Sequence, residues 1–155
     1  MTAPSDDIDR IMTVMDAAFD PAFGEAWNRR QVSDALLLGN CHYRLAAAPS
    51  AALVDEPRAV GFYLSRFAFD EEELLLLAVD PRYRRTGIGG SLLDEFASSA
   101  QARGAKRLLL EMRSGNPADR LYRAFGFVPV GVRPDYYRVE NGRRNDAITF
   151  ALEFQ

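Results

Sequence analysis

The stretch from Glu72 to Met112 constrains the fold more than any other part of the chain. It runs from an apolar segment, LLLLAV at 74–79, through a turn, DPRYRRTGIGG at 80–90, into a helical pattern and a second apolar strand pattern over Arg107–Met112. Ile88, Leu92, Leu93, Phe96 and Ala100 recur at the spacing of one helix face, and Gly104 stands where that helix would stop. LLLLAV is short and does not alternate, as in a strand covered on both faces. Strand, turn, helix and strand in this order make a βαβ unit, whose two strands lie parallel beneath a right-handed crossover.

The flanking segments supply the remaining layers. Ser5–Phe19 reads as a helix, with Ser5, Asp6 and Asp7 as cap candidates and a stripe of Ile8, Ile11, Met12, Met15 and Phe19. Ala26–Leu38 reads as a second helix, closed by Gly39-Asn40. Cys41–Ala48 and Ala59–Phe69 read as strands joined by the turn-rich PSAALVDEPR at 49–58, and acidic Asp70–Glu73 leads into the apolar run. Asn116-Pro117 opens a short helix, with the asparagine as N-cap and the proline in the first turn. That helix ends at Gly126, and strands follow near 127–133 and 145–154. Outside the βαβ pair the strands come as antiparallel neighbours. The fold class is α/β with α+β character: a mixed sheet with helices on both faces, in one domain spanning 1–155.

Composition narrows the function. A formal net charge of −3 argues against a nucleic-acid binder, although Arg82–Arg85 is locally cationic. One cysteine, Cys41, and one histidine, His42, leave no intramolecular disulfide and too few ligands for a zinc cage, so no metal is expected. The acidic start MTAPSDD lacks the plan of a signal peptide, and LLLLAV is too short to span a bilayer. A cytoplasmic protein with no membrane partner is the expectation.

The glycine turn is neither a P-loop, for no lysine follows its glycines, nor a dinucleotide fingerprint, for Leu92 stands where the third glycine belongs. It does join the carboxyl end of a strand to the start of a helix, where free N–H groups and the positive helix end coincide. Gly87, Gly89 and Gly90 permit close approach, and Arg84 or Arg85 adds countercharge, which predicts a pyrophosphate-sized anion site. Taken alone, the glycines equally suit a tight turn beneath a solvated arginine patch.

RRTGIG at 84–89, preceded by LLAVDPRYR, resembles the acyl-CoA-binding motif Q/R-x-x-G-x-G/A of the GNAT acetyltransferase superfamily, and LLLEMRSGNPADRLYRAFGF at 108–127 resembles the next two elements of that fold. The resemblance implies two central parallel strands that splay apart in a largely antiparallel sheet. Acetyl-CoA, the implied co-substrate, lies in the cleft, with its pantetheine along Leu77, Ala78 and Val79. Its pyrophosphate rests on the N–H groups of Arg85, Thr86, Gly87, Ile88, Gly89 and Gly90 beside Arg84, and Asn116 is a further contact by family position. Glu111 is implied as general base, acting through water, and Tyr122 as the acid that protonates the departing thiolate. The Val79 N–H is placed to polarise the thioester carbonyl.

Three features resemble the bacterial branch that acetylates the N-terminal alanine of a small-subunit ribosomal protein: Glu111 within LEM, RPDYY at 133–137 followed by NGRRNDAI at 141–148, and Trp27. They imply a protein N-terminus as acceptor, with Tyr136, Tyr137 and Trp27 about it. Tyrosines on a late hairpin can bond a peptide backbone and wall a slot too narrow for a lysine side chain. Blander readings remain for each: rings alternating across a strand, a tryptophan anchoring a helix, Glu111 in a salt bridge with Arg113 or Arg133, Tyr122 as a core ring. Cys41 is remote from these motifs, so direct transfer is expected over an acyl-cysteine. The rivals are a small-molecule amine or lysine acceptor, and a silent acyl-CoA-binding domain.

Overall fold

The computed structural model describes residues 4–48, 58–138 and 144–154. The side chains before Asp6, residues 49–57 of the expected turn segment 49–58, and residues 139–143, which include the start of the late motif, lie outside them. The elements run α1 Pro4–Ala18, α2 Arg29–Leu37, β1 Cys41–Ala47, β2 Ala59–Ala68, β3 Glu71–Val79, α3 Ile88–Ala102, β4 Arg107–Arg113, α4 Asp119–Phe125, β5 Val128–Arg138 and β6 Arg144–Glu153. The strands form one sheet in the order β1-β2-β3-β4-β6-β5. Only β3 and β4 are parallel; every other pair is antiparallel. Among the described residues, no helix is long and apolar enough to cross a membrane.

Apolar periodicity accounts for the layers. Ile8, Ile11 and Met15 of α1 and Val32 of α2 are buried against Phe62, Leu64, Leu76 and Ala78 on one face of the sheet. Leu92, Leu93, Phe96 and Ala100 of α3 are buried against Leu74, Leu108 and Leu110 on the other, where Tyr122 and Phe127 join them. Each fully buried Leu or Phe contributes roughly 1.5–3 kcal/mol over its exposed state. One charge is fully enclosed on the α3 face: Glu72 accepts from Ser65 Oγ at 2.6 Å and from Arg103 Nε at 2.7 Å, bracing the end of α3 to the sheet.

A one-residue irregularity in β3 explains its unalternating sequence. Leu64 of β2 faces Leu76 while Ser65 faces Leu74, so Leu75 is an extra residue in the ladder. Leu74 consequently packs with the α3 core, whereas Leu76 and Ala78, which would share its face in a regular strand, pack with the α1 core.

The same place is where the parallel pair parts. Pairing runs only from Glu71/Arg107 to Leu74/Leu110, yet β3 continues to Val79 and β4 to Arg113. Beyond the fork each strand stays anchored on its outer side, β3 to β2 through Val79 and β4 to β6 through Arg113. A wedge opens between two fixed walls, as the family resemblance implied.

Three boundaries differ from expectation, each for a local reason. The second helix starts at Arg29 and not Ala26, because Asn28 and Gln31 close a reciprocal capping box. The short helix starts at Asp119, because the Asn116 side chain accepts from the Ala118 N–H in a turn and so does not cap the helix itself. The strand expected to end near 133 runs to Arg138, carrying Tyr136 and Tyr137 on a long hairpin with β6.

Candidate active site

The wedge continues into a cleft of about 740 Å³. Leu77, Ala78 and Val79 form one wall, and Arg113, Asn116, Pro117, Ala118 and Leu121 form the other. Arg84, Arg85, Gly87, Ile88, Gly89 and Gly90 close one end, while Phe19, Asp20, Phe23 and Glu25, from the segment joining α1 to α2, overhang the cleft. Ten of the eleven positions expected to contact a cofactor therefore line a single cavity. The eleventh, Thr86, turns its hydroxyl back onto the Tyr83 carbonyl.

The mouth suits an anion. Gly87 is the N-cap of α3, in the left-handed region at φ 88°, and no side chain caps the helix. No N–H from Arg85 to Gly90 donates a hydrogen bond among the described residues, so these donors face outward as a group. A Cβ on Gly89 would lie 3.2 Å from Leu121 Cδ2, which leaves little room for a side chain between helix and cleft. The arginines divide the work. Arg82 pairs with buried Asp80, which also accepts from the Arg82 N–H at 3.0 Å; these contacts hold the Asp80 carboxyl down at about 2. Arg84 donates to the Ala18 carbonyl at 3.1 Å, tying the mouth to the end of α1. Arg85 lines the cleft and has no hydrogen bond or ion pair among the described residues, which leaves its guanidinium free to meet an anion.

Glu111 is the first residue of β4 past the fork, and its side chain is 18 % exposed. Its Oε2 accepts from Thr149 Oγ1 at 3.2 Å and pairs with Arg133 Nε at 3.2 Å. Two residues on, Arg113 stacks 3.8 Å above the Phe23 ring and donates from Nε to Glu25 Oε1 at 3.1 Å. The other Glu25 oxygen accepts from Asn116 Nδ2 at 3.0 Å. Asn116, expected as a cofactor contact, lines the cleft with its amide already engaged on both sides.

Tyr122 is buried on α4, edge-on to Phe127. Burial first, then the charges of Glu25 and Tyr137, push its hydroxyl well above the usual tyrosine range. Burial likewise raises Tyr137 to about 12, with Glu25 and Glu111 adding to it. Both rings are neutral at any physiological pH; Tyr122 packs in the α3 core and is not among the residues that line the cleft. Tyr136 and Tyr137 meet edge to face at 5.1 Å; Tyr136 is exposed and Tyr137 half-buried, so they do alternate across β5. Trp27 does not line the cleft; it packs against the α1 core. Cys41 begins β1 opposite Arg66, at the end of the sheet away from Val79, and burial raises its thiol.

Glu25 is a residue that no motif in the sequence singles out. Its only local sign is an acidic side chain between Gly24 and the Asn28 cap, in a segment that must bridge two helices. Its importance comes from distant partners in sequence, Arg113 and Asn116.

An apolar trough along an open strand edge, ending at uncapped N–H groups and a free guanidinium, defines a site for a long thioester with an anionic head. The chain matches the family model described as an acetyltransferase (GNAT) domain over residues 40–129, and it belongs to that family. It is an N-acetyltransferase whose co-substrate is acetyl-CoA. Among curated proteins it is similar to the [ribosomal protein bS18]-alanine N-acetyltransferase of Escherichia coli (strain K12), 37% identical over 101 residues, which cover 64% of this chain and 68% of that one. The enzyme of the same description from Haemophilus ducreyi is 34% identical over 99 residues, covering 63% and 68%. Among solved structures, the Escherichia coli ribosomal-protein-S18-alanine N-acetyltransferase superposes with a TM-score of 0.82 at 27% identity, covering 99% of this chain and 91% of that one. Arabidopsis thaliana NAA60, solved with a bisubstrate analogue, gives 0.81 at 20% identity over 97% and 93%, a likeness of fold.

Proposed function

We propose that this protein moves the acetyl group of acetyl-CoA to the α-amine at the N-terminus of a protein, the acceptor being the N-terminal alanine of the small-subunit ribosomal protein bS18. The reading is supported by the curated relatives, which carry that activity in their names. The observation that carries it is the position of Glu111: a half-buried carboxylate at the fork of the parallel strands, beside the Tyr137 ring.

In this reading the amine nitrogen attacks the thioester carbon while both substrates are bound. The N–C bond forms, the amine proton passes through water to Glu111, the C–S bond breaks, and Tyr122 protonates the departing sulfur. An α-amine, with a pKa of about 8, needs only a weak base. The Val79 N–H faces the wedge and polarises the carbonyl. Arg85 and the N–H groups through Gly90 hold the pyrophosphate. Tyr136 and Tyr137 flank the incoming terminus, whereas Trp27, expected beside it, packs against the α1 core and takes no part. Direct transfer fits the distance of Cys41 from the cleft. A lone thiol and an acyl donor made inside the cell point to the cytoplasm as its compartment.

One assay tests the reading: thiol release from acetyl-CoA with three acceptors, namely a peptide starting in alanine, the same peptide blocked at its terminus with an internal lysine, and a polyamine. Release with the first alone is the expected result. Release with the lysine peptide or the polyamine alone would reassign the acceptor, and release with none would leave a binding domain.

A further inference from the structure

We propose that Arg133 balances the charge of the acceptor slot, so that the slot takes an amine only in its neutral form and thereby favours an α-amine over a lysine side chain. The inference rests on the reading of Glu111 as the base. Among the described residues, the charged groups about Glu111 and Tyr137 come from three places: Glu111 and Arg113 on β4, Arg133 on β5, and Glu25 on the segment between α1 and α2, while Asp20 and Arg120 line the adjoining cleft. Tyr122 of α4 and Tyr137 of β5 are uncharged, and β6 presents the Thr149 hydroxyl to Glu111. Asp146 of β6 is turned away onto the Asp135 amide. Among the described residues, Glu25 and Glu111 are each paired with a guanidinium, so these four groups together carry no net charge.

The two pairs are built differently. Glu25 is engaged through both oxygens, and its partner Arg113 is buried. Glu111 is held through Oε2 alone; no hydrogen bond reaches Oε1 among the described residues, which leaves that oxygen open to a proton. Its partner Arg133 is 61 % exposed and lies 5.3 Å above the Tyr136 ring, which keeps the guanidinium in place without burying it.

An ammonium that reaches the half-buried Glu111 loses water and meets a carboxylate already paired with Arg133, so its neutral form is favoured. Without Arg133, Glu111 would be an unpaired carboxylate that attracts any cation and holds its proton in place. The choice of protonation state is also a choice of acceptor. At pH 7 an α-amine with pKa about 8 has roughly two hundred times the neutral fraction of a lysine with pKa about 10.4.

The test compares Arg133→Met, Arg133→Lys, Thr149→Val and Glu111→Gln in the full chain. For each, kcat and KM are measured from about pH 6 to about pH 9 on the alanine-starting peptide and on the blocked lysine peptide. Arg133→Met is expected to lower KM for both peptides by about fivefold, to lower kcat, and to move the acid limb of kcat upward by about one pH unit, as removal of a nearby cation stabilises ammonium. Arg133→Lys restores the limb. Thr149→Val, which removes a contact to the same oxygen but no charge, leaves the limb where it was. An unmoved limb and unchanged KM in Arg133→Met overturn the proposal. So does a limb that moves equally in Thr149→Val, since that marks simple misplacement of Glu111. Wild-type kcat in Glu111→Gln would defeat the base assignment itself, a failure separate from that of the charge balance. Retained acetyl-CoA binding in each variant verifies that it is folded.

Discussion

At the scale of single residues, the chemistry divides between side chains that exchange protons and side chains that hold them in place. In the proposed mechanism Glu111 and Tyr122 belong to the first kind. Glu111→Gln and Tyr122→Phe are each expected to lower kcat by about a hundredfold on an alanine-starting peptide, while calorimetry finds acetyl-CoA affinity unchanged. Wild-type kcat in both variants would contradict the assignments. Glu25 belongs to the second kind. Its removal strands Arg113, whose side chain is 10 % exposed, without its carboxylate. Glu25→Ala should therefore cost about 2 kcal/mol in urea unfolding and lower kcat/KM, whereas Glu25→Gln, which keeps an acceptor oxygen, recovers most of the stability. Equal unfolding midpoints for wild type and Glu25→Ala would mean that the clasp contributes nothing.

At the scale of elements, the turn from β3 into α3 is the critical piece. Gly87 sits at φ 88° with open space about it, so a side chain there meets backbone strain and no steric clash. A β-branched residue disfavours that conformation by about 1–2 kcal/mol and swings the N–H groups of the turn out of line. Gly87→Val is expected to weaken acetyl-CoA binding by about tenfold or more in a calorimetric titration; undiminished binding would mean that the anion lies elsewhere. The same turn depends on Asp80, whose carboxyl is held at about 2, well below its ordinary 3.8, first by the Arg82 side chain and then by the Arg82 N–H. Because the folded value is depressed, the stabilisation is complete above the ordinary value and is lost as pH falls through about 2. The stability gap between wild type and Asp80→Asn should thus be level above about pH 5 and close on acidification. A gap that is constant down to pH 2 would contradict the role of the ionised carboxylate.

At the scale of the whole molecule, the layers and the donor half of the site were legible in the sequence, and the acceptor half much less so. The βαβ order, the stripe on α3 and the glycine turn are local signals, and each formed where its pattern lay. The run LLLLAV announced a strand covered on both faces, but not the extra residue at Leu75 that makes Leu76 and Ala78 face α1. A bulge is a property of two strands, and neither strand records it alone. The capping box at Asn28 and Gln31 was readable yet outweighed by the apolar residues before it. The acceptor side joins groups far apart in the chain: Glu25 with Arg113 and Asn116, and Glu111 with Arg133 and Thr149. Of these, only the pairing of Glu111 with Arg133 was foreseen, and only as an alternative to catalysis. In the structure Glu111 does pair with Arg133, at 3.2 Å.

The most direct test is to let the enzyme choose. Incubated with acetyl-CoA and a full-length acceptor protein that offers both an N-terminal alanine and internal lysines, the enzyme should place one acetyl group on the terminal nitrogen, located by fragmenting the product in a mass spectrometer. Acetyl groups on lysine side chains with the terminus left free would contradict the account.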